Sequence, residues 1–277
     1  MVKHNQADLL IANGRIDRQY WHDLWRYREL FYFLSWRDIL VRYKQTLIGI
    51  AWALVRPFIT MLIFTFVFRH LAKLPSEDAP YPILVFAGIL PWQLFADALS
   101  RCSNSLVSNA NLISKVYFPR LIIPVSAVIG SFVDFLFSGM ILLALMAWYD
   151  FVPNWRILTL PLIVLIALIT AMGVGLWLAV LNVKYRDFKY IVPVMTQLGW
   201  YLSPVGFSSS LVPQRWRLLY SLNPMVGVID IFRWATLGGE ANISWPGFAL
   251  SMGMVVLLFA GGIWYFRKME RSLADVI

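Results

Sequence analysis

Runs of apolar residues long enough to cross a bilayer recur along this chain, separated by short polar or basic stretches punctuated by Pro and Gly. A membrane-spanning helix takes about 20 such residues. The runs predict six spans: residues 48–68, 81–100, 121–148, 158–181, a fifth from 191 that stops at Ser203-Pro204, and 246–266. Ahead of the first, apolar Tyr20, Leu24, Tyr27, Phe31 and Leu34 follow a 4-3-4-3 spacing with His22, Arg26 and Glu29 on another face. That pattern predicts an amphipathic helix over 20–34 lying in the membrane interface. Trp36, Ile39, Leu40, Tyr43 and Leu47 form a second apolar set, with Arg37, Arg42 and Lys44 pointing elsewhere. Two roles stay open for this segment: a positive anchor for the first span, or a helix bordering a lateral entrance for a lipid-borne substrate.

Polar positions inside the runs need partners. Arg56 precedes Pro57 in the first span; an arginine at a span's centre costs about 2.5–3.5 kcal/mol, so it faces a protein interior or water, or snorkels to the headgroups. Pro91 interrupts the second span, followed by Trp92 and Phe95, and Asp97 and Arg101 stand four apart, the order that favours a helical ion pair. In the third span Ser126, Gly130, Asp134 and Ser138 line one helix face with small or polar groups, which permits close helix approach and requires a partner for Asp134. Packing and a substrate or proton site are both open there. Gly173 and Gly175 permit tight packing of the fourth span. The apolar but Pro- and Gly-cut region 203–245 reads as short re-entrant or interfacial helices.

Composition sharpens the class. Of 277 residues 60% are hydrophobic and 14% charged, against roughly 25% charged in soluble domains. The net charge of +9 reflects the basic loops of a membrane protein, so no nucleic-acid partner is expected. Eight Lys or Arg precede Ile48, three fall in 101–120, three in 183–190 and three after Phe266; the opposite side has Arg69, Lys73, Arg156, Arg215, Arg217 and Arg233. Seventeen against six places both termini, the 109–120 stretch and the 183–190 loop in the cytoplasm. Cys102 stands alone, so no intramolecular disulfide or cysteine metal site forms. Before Arg18 the chain lacks the apolar core of a cleavable signal.

Chemistry is sparse. There is no Gly-Lys pair for a phosphate-cradling nucleotide loop, no HExxH, and histidines occur only at 4, 22 and 70. The chain is therefore not expected to be an enzyme. Movement of a solute with nucleotide energy requires another subunit to bind the nucleotide.

The series RYKQTLIGIAWALVRP, FAGILPWQLFADALSRCSNSLVSNANLISKVYFPRLIIP, LNVKYRDFKYIVP, SLNPMVGVIDIFRW and FRKMERSLADVI, ordered along the chain from about Trp25 to Ile277, resembles the membrane subunit of ABC-type polysaccharide exporters. These are the O-antigen and related lipid-linked glycan permeases of the ABC-2 family. The resemblance implies an all-α, six-span permease in the cytoplasmic (inner) membrane. It divides into an N-terminal cytoplasmic and interfacial segment, 1–47, and a transmembrane domain, 48–277. It further implies a homodimer with two copies of a separate ATPase, which binds ATP and magnesium while this chain holds no cofactor. A short helix between spans two and three docks on the ATPase in such proteins, and it matches Asn109, Asn111, Leu112, Lys115, Tyr117, Phe118, Pro119 and Arg120, with Tyr117 and Phe118 as expected apolar anchors. The interfacial helix matches 20–34, and two re-entrant helices match the region after Pro204 and around Asn223-Pro224.

The expected substrate is a polyprenyl-diphosphate-linked glycan whose head enters beside Arg26, Arg37, Arg42 and Lys44. Its sugars slide past aromatic faces such as Trp92, Phe95, Trp200 and Tyr201, with Arg56 on the path by local inference alone. The same aromatics also suit lipid-facing anchors. Capsule and teichoic-acid export stay open within the class; an ion-coupled transporter built on Asp134 and Arg56 and a non-transporting scaffold are the rivals outside it.

Overall fold

The structure is a computed structural model that describes residues 18–44, 47–74, 79–116, 118–185, 187–238 and 244–270, with backbone alone at 18, 19 and 47–53. Every regular element among the described residues is helical. Two short helices, α1 (Arg18–Arg26) and α2 (Arg28–Tyr43), precede α3 (Leu47–Phe64), whose path continues through a π-helical turn, Thr65–Leu71. Then come α4 (Tyr81–Ser108), α5 (Ala110–Lys115), α6 (Ile122–Trp148) and α7 (Leu160–Lys184), the last preceded by the 3-10 turn Trp155–Thr159. α8 (Phe188–Tyr201), α9 (Gln214–Tyr220), α10 (Pro224–Leu237) and α11 (Trp245–Met269) complete the order.

The helix α4 is the axis of the bundle. At 1.5 Å per residue its 28 residues span about 42 Å, and α6, α7, α10, α3 and α8 all pack around it. It runs straight through Pro91, the expected interruption, and on to Ser108, eight residues past the expected end. A proline in a span removes one backbone hydrogen bond, a loss that packed neighbours tolerate. Five helices among the described residues are long and apolar enough to cross a membrane. The expected fifth span instead folds as α8, whose 14 residues reach only about 21 Å.

The amphipathic reading of the N-terminal segment holds with one change. Leu34 is buried and Tyr20, Leu24, Tyr27 and Phe31 pack against the core, whereas His22, Arg26 and Glu29 are exposed. The expected single helix is broken at Tyr27, whose ψ of 21° ends one helical stretch before the next begins. In the second apolar set Trp36 and Leu40 remain exposed.

Within region 203–245, expected as short helices, α9 and α10 form and α10 contributes to the core. Asn223 caps α10 by accepting the Met225 N–H at 3.0 Å, Pro224 occupies the first turn where no N–H is needed, and Gly238 closes the helix at φ 67°. Its inner face, including Met225, Ile229, Phe232 and Ala235, is buried against α4, α7 and α11. Close approach elsewhere depends on glycine: a Cβ at Gly173 would sit 2.8 Å from the Phe259 nitrogen, and one at Gly262 only 2.4 Å from the Gly173 oxygen. The α7–α11 contact is thus backbone on backbone at Gly173, whereas Gly175 makes room for Cys102 of α4.

Two ends can be told apart. The starts of α1 and α6, the 109–120 stretch and the close of α11 meet at one, through bonds among Tyr20, Arg120 and Glu270. Asn182 at the end of α7 bonds to Ser103 and Asn104 on the same side. At the other end Arg156 lies 4.8 Å over the Trp234 ring, and the Tyr81 hydroxyl donates to the Gly206 carbonyl at 2.9 Å. The segments that the charge count assigns to one side therefore share one end of the bundle.

Candidate functional site

Asp134 is the centre of a polar node inside the bundle. The small-residue face of α6 brings it inward with Ser126, Gly130 and Ser138, all buried. A Cβ at Gly130 would lie 2.8 Å from Arg101 Nη1, so that glycine makes room for the guanidinium reaching across from α4. Arg101 Nη2 meets Asp134 Oδ2 at 3.0 Å and Arg42 Nη1, from the end of α2, meets the same oxygen at 2.7 Å. The Tyr43 hydroxyl donates to Oδ1. Burial, then the bond and charge of Asp134, push the Tyr43 phenol well above its ordinary range, so it stays a donor at all physiological pH.

Arg101 therefore bonds across helices to Asp134 rather than along α4 to Asp97 as its spacing suggests. Asp97 instead faces a small cavity that it lines with Gln93, Ser131, Asp134 and Ser138 beside Leu90, Leu94 and Phe135. It lies in the electrostatic field of Asp134, Arg42 and Arg56. Arg56 itself is exposed on this single chain, beside the buried Pro57.

The 109–120 stretch is strapped at both ends. At its start Arg37 Nη2 donates to Asn109 Oδ1 at 2.9 Å while also pairing with Asp38 at 2.8 Å. At its close Glu270 Oε1 accepts the Arg120 backbone N–H at 2.9 Å and the Tyr20 hydroxyl at 3.2 Å, and the Arg120 guanidinium donates to the Glu270 carbonyl. Arg267 lies 4.0 Å over the Tyr20 ring. Burial pushes the Glu270 carboxyl up, against the opposing pull of the Arg120 N–H, Tyr20, Arg267 and Arg120. Between the straps Ile113, Phe118 and Pro119 turn inward, Leu112 is half-buried, and Asn111, Ser114, Lys115 and Val116 face out. Phe118, an expected docking anchor, thus packs in the chain's own core; Tyr117 lies outside the described residues.

The remaining expected site residues divide. Trp92 and Phe95 are buried with ring centroids 5.4 Å apart, Trp200 packs 6.2 Å from Trp92 and 5.6 Å from Phe64, and Tyr201 is exposed away from this cluster. Arg26, Arg42 and Lys44 are exposed and Arg37 is half-buried; of these, Arg37 and Arg42 make the specific bonds above.

Two residues escaped the sequence reading. Arg233 is 4% exposed, and its guanidinium bonds to the carbonyls of Leu84 at 3.2 Å, Phe207 at 2.7 Å and Val205 at 2.8 Å. The signal for it was its register: it falls on the inner stripe of α10 with Ile229, Phe232 and Thr236, not on a solvent face. Glu270 carried no comparable signal, because its partners are Tyr20 and Arg120.

The profile of the ABC-2 type transporter family matches residues 29–237. The O-antigen export system permease protein RfbA of Myxococcus xanthus is 28% identical over 258 residues, covering 92% of this chain and 98% of that protein. The protein of the same name from Klebsiella pneumoniae is 25% identical over 253 residues, covering 90% and 95%. The polysialic acid transport protein KpsM of Escherichia coli is 24% identical over 246 residues, covering 86% and 93%.

Proposed function

The chain belongs to the ABC-2 type transporter family, and on that basis we propose that it is the permease subunit of an ATP-driven exporter of lipid-linked polysaccharide across the cytoplasmic membrane. The observation that carries this reading is similarity running nearly end to end to permeases named for O-antigen export, 92% of the chain in one case. The similarity to a polysialic acid transport protein keeps capsule export beside O-antigen export; a teichoic-acid carrier is a third substrate of the same chemistry.

In this reading the permease works as a homodimer with two copies of an ATPase that binds ATP and magnesium. α8 and the short helices after it complete a six-span subunit, with α9 and α10 re-entering from the outer side and both termini in the cytoplasm. The strapped 109–120 stretch is the docking element, through its outward residues Asn111, Lys115 and Val116. Its straps favour this role, because a push on the stretch is passed to α2 through Arg37 and to α1 and α11 through Glu270. The polyprenyl diphosphate approaches the basic face of α2, and the glycan passes the aromatic groups of α3, α4 and α8.

The test is reconstitution of the permease with its candidate ATPase in proteoliposomes that contain lipid-linked glycan. ATP-dependent appearance of glycan in the opposite leaflet or compartment is expected. Equal transport without the ATPase, driven by an ion gradient, would favour the secondary-transporter reading instead.

A further inference from the structure

We infer that Arg42 is an exchangeable partner of Asp134, leaving it for the diphosphate of an arriving lipid-linked substrate while Arg101 stays behind to neutralise the carboxylate. The inference rests on the substrate class proposed above and adds the residue that recognises it and the counter-ion it gives up.

The node holds more cation than its carboxylate needs. Two guanidinium groups converge on one oxygen of Asp134, Arg42 at 2.7 Å and Arg101 at 3.0 Å. One suffices to neutralise it. Asp97 lines the same cavity as Asp134, but both ion pairs go to Asp134. Excess charge at the edge of a low-dielectric bundle is costly, and an anion arriving there offsets that cost.

The two arginines are not equivalent. Arg101 projects from the central helix α4 into the space that Gly130 leaves, and its side chain is 22% exposed. Arg42 stands on the last turn of α2 with its side chain 39% exposed, so it is the more accessible of the two. A guanidinium fork matches adjacent phosphate oxygens in a bidentate manner, an advantage over a carboxylate oxygen it already shares.

Departure of Arg42 leaves no orphan. Tyr43 donates to Oδ1 and Arg101 to Oδ2, so both oxygens of Asp134 remain bonded. The buried carboxylate therefore avoids the penalty that follows loss of a sole partner. Meanwhile α2 keeps its Arg37 bond to Asn109, so the change reaches the start of the 109–120 stretch. Substrate arrival at α2 is thereby reported to the proposed docking element.

The test measures equilibrium binding of farnesyl diphosphate to the purified permease–ATPase complex, with farnesyl monophosphate and dioleoyl phosphatidylglycerol as comparison anions. Asp134→Asn removes the carboxylate charge that competes for Arg42 and is expected to tighten diphosphate binding by about threefold or more. Arg101→Gln makes Arg42 the sole guanidinium on Asp134 and is expected to weaken it by a similar factor. Arg42→Gln is expected to weaken it by about tenfold, with Arg42→Lys recovering part, and D134N/R42Q must lose the gain of D134N alone. Gel filtration and thermal unfolding identify any variant that fails to fold; if R101Q does, the opposite signs of D134N and R42Q decide the matter. D134N and R42Q changing affinity in the same direction, or phosphatidylglycerol following the diphosphate pattern, would overturn the exchange. A wild-type complex that binds no farnesyl diphosphate overturns the substrate class as well, which separates the two failures.

Discussion

Arg120 and Glu270 stand 150 positions apart and are joined at 2.9 Å by the Arg120 backbone N–H and a carboxylate oxygen. With Tyr20 on the same oxygen at 3.2 Å, this contact ties the close of the 109–120 stretch to the first helix and the last. Its energetics follow from burial, which raises the Glu270 carboxyl above its ordinary value of 4.5. A raised carboxyl means the folded state binds the proton more tightly than the unfolded one. Its contribution is therefore full below about pH 4.5 and is lost as pH rises through the raised value. Glu270→Gln keeps an accepting oxygen but cannot ionise, so thermal unfolding of wild type and variant over about pH 4 to 8 should diverge in favour of the variant as pH rises. A constant gap would show that Glu270 titrates as an ordinary carboxyl.

Arg233→Met should destabilise the protein by about 3 kcal/mol, because it strips donors from three carbonyls, those of Leu84, Val205 and Phe207. Arg215→Met, at an exposed position, should stay within about 0.5 kcal/mol. Thermal unfolding in detergent separates the two, and equal losses would mean that Arg233 is no more than a surface charge.

A matched pair of glycines tests the α7–α11 contact. Gly173→Ala places a methyl group 2.8 Å from the Phe259 nitrogen and should cost about 1–3 kcal/mol through forced helix separation. Gly139→Ala meets nothing within 4 Å in mid-helix and should be neutral or stabilising by up to about 1 kcal/mol. If both behave alike, the tight crossing is not needed for stability.

Docking and folding can be separated within one stretch. Lys115→Glu with Val116→Asp alters only outward side chains, and should abolish ATPase co-purification while membrane insertion and unfolding temperature are kept. Phe118→Asp buries a charge beside Pro119 and Leu121 and should lower the unfolding temperature of the permease alone. Undiminished ATPase binding by the Lys115/Val116 variant would remove the docking assignment.

Periodicity and run length are local properties, and what they imply survives folding. They determined a helical membrane protein, the inward face of Tyr20, Leu24, Tyr27, Phe31 and Leu34, the buried stripe around Asp134 and the close approach at Gly173. Among the described residues, segments that the charge count groups meet at one end. Partner choice between helices is different, because it depends on crossing position and register, which bring together residues 33, 72 or 150 positions apart. Only the tertiary structure turned Arg101 from Asp97 to Asp134, hid Phe118, bent the chain at Tyr27, shortened the fifth apolar run to α8 and closed three carbonyls around Arg233. For Arg101 and Arg233 the outcome follows from the space that Gly130 leaves on the facing helix and from the cost of a buried polar group without a partner.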